Sequence, residues 1–91
     1  KSFGDKQTER LWTLLDRGKL PAAIQQRALN KLAMIDQSVD LNDLRVPPSN
    51  RLEALKGNRK GKYSVHINQQ WRICFRWENK DAHDVIIEDY H

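Results

Sequence analysis

The sequence contains one cysteine, Cys74, so no disulfide can close within it. A chain that does without disulfides suits a reducing, cytoplasmic setting. Long apolar runs are missing too: nothing approaches the roughly 18–20 residues needed to cross a bilayer as a helix. There is no basic start followed by an apolar run and a small-residue cleavage site. The first residue is Lys1 rather than methionine, and one or more residues are expected before it. Glycine and proline are sparse, and no linker, repeat or low-complexity segment divides the chain. A single small domain over residues 1–91 is expected. No His, Cys or carboxylate cluster has metal-ligand spacing, so neither a metal nor another cofactor is expected.

What is present is charge, unevenly placed. Apolar residues make up 38% and charged residues 31%, which marks a soluble globular chain, and the net charge is +4. Residues 1–50 carry +2, residues 51–77 carry +6 with Glu53 as their one acid, and residues 78–91 carry −4. A middle third this basic points to a polyanionic partner, nucleic acid first.

Helical spacing governs the first half. Asp5 is placed to cap a helix bearing Leu11, Trp12, Leu14 and Leu15, with Gly18 as its stop. Pro21 suits the first turn of a second helix, in which Ile24, Ala28, Leu32 and Ile35 line one side to about Gln37. Neither helix has the strongly basic polar face of a membrane-surface helix, so no membrane partner is expected. Residues 38–50 form a connector with a short turn around Asp40–Leu44 before Pro47 and Pro48.

Beyond the prolines the pattern alternates. Strands are expected at 51–55, around Tyr63, Val65 and Ile67, at 71–77 and at 85–90, with turns at 57–61, 68–70 and 78–83. Short turns favour antiparallel pairing. The expected fold is therefore α+β: two N-terminal helices packed on a mostly antiparallel sheet of three to five strands.

The stretch WRICFRW carries the chemical question. Trp71, Ile73, Phe75 and Trp77 share one strand face, leaving Arg72, Cys74 and Arg76 on the other. If the aromatic face meets the helices, Arg72 and Arg76 stand about 13 Å apart on a free face. Ser64 and His66 join them there, beside the basic turn Lys56–Lys62. Asp84, Glu88 or Asp89 would pair with the arginines if their role were structural. Glu53 in turn would pair with Arg51, Arg72 or a turn lysine. His66 reads as a surface histidine, and Cys74 lacks a histidine partner that would make it a nucleophile. A carboxylate base, an acid and an arginine on the phosphoryl oxygens suffice to cleave RNA without a metal, and residue types here permit that scheme.

The run RLEALKGNRKGKYSVHINQQWRICFRW, the connector DLRVPPSN and the ending IIEDYH together resemble HigB toxins of the RelE/ParE superfamily, across essentially the whole chain. The resemblance implies a RelE-like fold, a bacterial cytoplasmic setting and cleavage of mRNA on the ribosome. It implies a neighbouring HigA-type antitoxin with a helix-turn-helix domain, and contact with operator DNA only through that antitoxin. It also implies roles at matching positions: Lys56 on the scissile phosphate, Arg72 on the phosphoryl transition state, and Tyr90 with His91 at the chain end. Some HigB toxins have histidine where this chain has Glu53. Glutamate there resembles YoeB-type relatives, which makes Glu53 the base and His91 the acid. Because adjacent strand residues point to opposite faces, either the chain end bends away from the sheet or one of Tyr90 and His91 is structural. Arg51, Arg59, Lys60, Lys62 and Arg76 are expected to grip RNA backbone without reading sequence. The competing functions are a gyrase inhibitor of the ParE kind and a non-catalytic RNA- or ribosome-binding module.

Overall fold

The computed structural model describes residues 2–14 and 20–89; Leu15 and Gly18, read above as the end of the first helix, lie outside them. Helix α1 spans Lys6–Leu14, and Asp5 Oδ1 accepts from the Thr8 amide at 2.8 Å, the N-cap its position predicts. Helix α2 spans Ala22–Gln37. Pro21 sits just before it rather than within its first turn, with an extended ψ of 137°. Ile24, Ala28, Leu32 and Ile35 are buried on one side of α2, as their spacing requires. A 3-10 turn at Leu41–Arg45 opens on Asp40, whose side chain accepts from the Asn42 amide at 2.8 Å. A second, at Pro48–Asn50, carries Asn50 into the interior.

Four strands follow: β1 Glu53–Ala54, β2 Lys62–His66, β3 Trp71–Glu78 and β4 Asp81–Asp89. They form one antiparallel sheet in the order β1-β2-β3-β4. The helices cover one face. Ile73, Phe75, Val65 and Val85 from the sheet meet Leu11, Ala28, Leu32 and Ile35 there, all buried. Each large apolar side chain so buried contributes about 1.5–3 kcal/mol. Trp71 and Trp77 pack against this core from its margin.

The strands depart from the sequence pattern at three places, the first being β1, which keeps only Glu53–Ala54 of the expected 51–55. The polar turn expected over 78–83 shrinks to Asn79 and Lys80, both at positive φ (53° and 61°), the two-residue hairpin whose twist matches its strands. In β4 the ladder shifts between Cys74↔Ile86 and Arg76↔His83, and Asp84 takes φ 54°. This bulge lets Ala82 and Val85, three apart, both enter the core, which strict alternation forbids. It also sets Glu88 on the face opposite the helices, level with Arg72.

The start of the chain adds an unexpected piece. Ser2–Gly4 lies parallel to β4 through a Phe3↔Val85 bridge, with Gly4 N donating to Val85 O at 2.8 Å. Thr8 Oγ1 accepts from the Ile87 amide at 3.0 Å, tying α1 to the same strand.

Candidate active site

The sheet face away from the helices holds the charged residues, but it is not the open shelf expected. Ser64 and Cys74 are fully buried on it. Arg72 lies on Ser64. What covers Cys74 begins at Gly57 and Gly61, whose φ of 69° and 91° let the chain reverse around the 3-10 turn Gly57–Arg59. The reversal sends Arg59 back across the sheet to β4. There its Nη1 and Nη2 donate to Glu88 Oε2 and Oε1 at 3.0 and 2.6 Å. Its hydrogen bond to Glu88 raises the Arg59 pKa further, and Cys74 lies beneath the pair. Burial first, then the Glu88 charge, pushes the Cys74 thiol up to about 11, so it is a protonated, inert group at neutral pH.

Beside this clamp lies Arg72. Its Nη1 donates to Glu53 Oε2 at 2.8 Å and to Ser64 Oγ at 3.1 Å, and its side chain keeps only 15% exposure. Glu53 is 54% exposed, so the pair has one sunken cation and one carboxylate facing solvent. The register explains the meeting: Glu53 lies opposite Ser64, and Ser64 opposite Cys74, two residues along β3 from the Arg72↔His66 pair and on the same face. His66 is half-buried rather than on the surface, and its buried Nδ1 has no hydrogen-bond partner. Burial, then the charge of Arg72, lowers its pKa.

Lys56 is exposed immediately after β1. With Lys60, Lys62 and Tyr63 it lines an open groove of about 480 Å³ beside the glycine turn. Arg51 is exposed at φ 44° just before β1. Arg76 is held by Asp84 (Nε to Oδ2, 3.3 Å) and by Glu78. The structure thus brings Glu53 and Arg72 together and sets the lysines at one end of the same sheet. Arg59 and Arg76 are already engaged with acids of β4 and its hairpin. Tyr90 and His91 lie outside the described residues.

The sequence pattern puts Ser64 on the arginine face and offers Glu88 as an acid for Arg72 or Arg76. That Ser64 props Arg72, and that Glu88 clamps Arg59 instead, follows only once register is known. One signal was available: Lys31 falls in phase with Ala28 and Ile35 on the apolar stripe of α2, and it is buried.

The arrangement suits an anionic, phosphate-bearing ligand: a sunken guanidinium with a carboxylate 2.8 Å away, and further lysines at one end of the same sheet. Comparison with known proteins identifies the family. The family model described as "RelE-like toxin of type II toxin-antitoxin system HigB" matches residues 1–91. Toxin HigB-1 of Vibrio cholerae is 40% identical over 89 residues, covering 97% of this chain and 94% of that protein. A protein named Endoribonuclease HigB from Proteus vulgaris is 33% identical over 91 residues, covering 100% and 98%. Among solved structures, the YoeB-YefM complex from Staphylococcus aureus matches with a TM-score of 0.64 at 19% identity, over 100% of this chain and 95% of that one. That last likeness extends to the fold alone: two helices on a four-stranded antiparallel sheet. Sequence match and architecture converge, and the chain belongs to the HigB family of RelE-like toxins from type II toxin–antitoxin systems.

Proposed function

We propose that this toxin is a ribosome-dependent mRNA endoribonuclease that halts translation in the bacterial cytoplasm. The observation that carries the reading is Arg72, sunk to 15% exposure and held by Glu53 and Ser64, on a sheet whose β1–β2 end carries a groove lined by lysines. The name borne by the P. vulgaris relative supports the reaction class.

In this reading a phosphodiester enters over Arg72, and the guanidinium passes from Glu53 to the non-bridging oxygens. Glu53 then takes the proton of the ribose 2′-OH, and the 2′-oxygen attacks the adjacent phosphorus in line. The bond to the 5′-oxygen breaks, leaving a 2′,3′-cyclic phosphate, and His91 gives its proton to the departing oxygen. Lys56 adds a second positive charge at the phosphate, and Tyr90 stacks on a base or orients the site. Arg51, Lys60 and Lys62 grip the backbone, with Arg59 and Arg76 adding charge from within their ion pairs. So small a catalytic set gains from a ribosome that presents mRNA already bent for in-line attack. A HigA-type antitoxin with a helix-turn-helix domain is the proposed partner, and operator DNA is reached only through it. Membership of a family of toxins from type II toxin–antitoxin systems supports an antitoxin partner.

Primer extension on mRNA incubated with the purified chain, with and without ribosomes, tests the proposal. Cuts that require ribosomes and vanish in Arg72→Ala are expected. RNA binding without cuts under either condition would overturn it, and inhibited gyrase supercoiling would replace it with the ParE-like function.

A further inference from the structure

A second basic site lies around the corner from Arg72, where α2 meets the turn between β2 and β3. There Arg27, Lys31, Met34, Ser49, His66 and Asn68 line a cavity of about 460 Å³. That volume is within the roughly 300–1,000 Å³ of small-ligand sites. Lys31 is the anomaly. It is 8% exposed, and its ammonium donates to the neutral Oδ1 of Asn50. Asn50 is itself buried and fixed, its Nδ2 donating to Leu44 O at 3.1 Å and Val46 O at 3.4 Å. Arg27 Nη1 donates to Ile67 O at 3.2 Å, again a neutral acceptor. The third basic group is His66, whose Nδ1 is buried and unpaired.

A buried ammonium costs several kcal/mol unless a counter-charge or hydrogen bonds offset it. Among the described residues, no carboxylate lines this cavity. Burial and then Arg27 lower the Lys31 pKa, and four cations (Arg72, Arg51, Lys31 and Arg27) add to burial in lowering that of His66. The local field is strongly positive, and the group that would balance it is an anion.

We propose that this cavity is an anion site that takes a phosphate group, held by Arg27, Lys31 and His66, with the RNA backbone as its source in the working toxin. Phosphate is favoured over a carboxylate by the three separate donors and the open access. His66 joins the cavity to the candidate active site, because it is the register partner of Arg72. One strand of RNA laid over Arg72 thus reaches the cavity with a neighbouring phosphate. That assignment of source rests on the nuclease reading; the anion site itself does not.

NMR of the His66 imidazole during titration with inorganic phosphate tests the site. The expected result is a saturable shift and a rise of the His66 pKa toward its ordinary value. Arg27→Gln, at an exposed position, should weaken binding about tenfold through loss of one charge-assisted hydrogen bond. His66→Gln should weaken binding as well, read at the Asn68 amide. The absence of a saturable response, or one unchanged in both variants, overturns the site. A short single-stranded RNA should then compete with phosphate for the His66 signal, and RNA that leaves it untouched overturns the backbone assignment. If ribosome-dependent cuts are absent while His66 still binds phosphate, the nuclease reading alone has failed. If cuts occur and His66 stays silent, the anion site has.

Discussion

Arg72 and Glu53 hold each other at 2.8 Å on the outer face of the sheet, the arginine sunk and the glutamate half in water. In the proposed reaction the pair must part, so its two members should fail differently. Arg72→Ala removes the group that meets developing phosphoryl charge and should cost about 10²–10³-fold in cleavage rate. Glu53→Gln keeps an acceptor for Arg72 but not a base. It should cost about 10²-fold in rate while RNA affinity and the urea midpoint barely move. Single-turnover cleavage on ribosomes reads the first quantity and equilibrium unfolding the second. A Glu53→Gln protein cutting at the parent rate would reduce Glu53 to a prop for Arg72.

The lysines at the glycine turn should act through charge alone. Removing Lys60, exposed on the groove, should lower the slope of log affinity against log salt by about 0.7, the value for one phosphate contact on a single strand. The change should be the same for RNAs of different sequence, measured by fluorescence anisotropy. An unchanged slope would mean that Lys60 is only solvated surface.

Cys74 offers a pH test. Its folded pKa, pushed up to about 11 by burial, exceeds that of an exposed thiol in the unfolded chain. The unfolded state therefore releases its proton first, and the stabilisation present at neutral pH is lost as pH rises from the ordinary thiol range through about 11. The loss should be about 3 kcal/mol at most, and a Cys74→Ala chain should lack that share of the alkaline slope in denaturant titrations. Iodoacetamide at mildly alkaline pH should label the unfolded chain and spare the native one.

Gly4 is fixed by contact rather than by backbone angle. A Cβ there would lie 2.5 Å from Ile86 Cγ2 and 2.9 Å from the Asp84 carbonyl oxygen, and the latter belongs to the bulged strand. Gly4→Ala should destabilise the protein by about 1–3 kcal/mol, visible as a lower urea midpoint. An unchanged midpoint would show that the segment is not held against β4 in solution.

The sequence made the two helices and the sheet legible because their apolar spacing is strict: Ile24, Ala28, Leu32 and Ile35 on one, Ile73 and Phe75 on the other. The meeting of Glu53 with Arg72 was visible only as one of several pairings, since it depends on how β1 aligns with β2. Local pattern was silent on the β4 bulge, because Ala82 and Val85 break alternation and no short motif marks Asp84. The cover over Cys74 escaped for a similar reason. It comes from Arg59 and Glu88, 29 positions apart, which no periodicity connects.

The short segment Ser2–Gly4 has a consequence for how this protein keeps company. A bare outer strand is a template for another chain, by which sheets merge and proteins precipitate. Here the β4 side is already occupied: Ser2 and Gly4 take the backbone groups of Ala82 and Val85, and the Thr8 hydroxyl takes the amide of Ile87. The opposite border, β1, is two residues long. For a chain proposed to pair with an antitoxin, these borders discourage self-recruitment by strand addition.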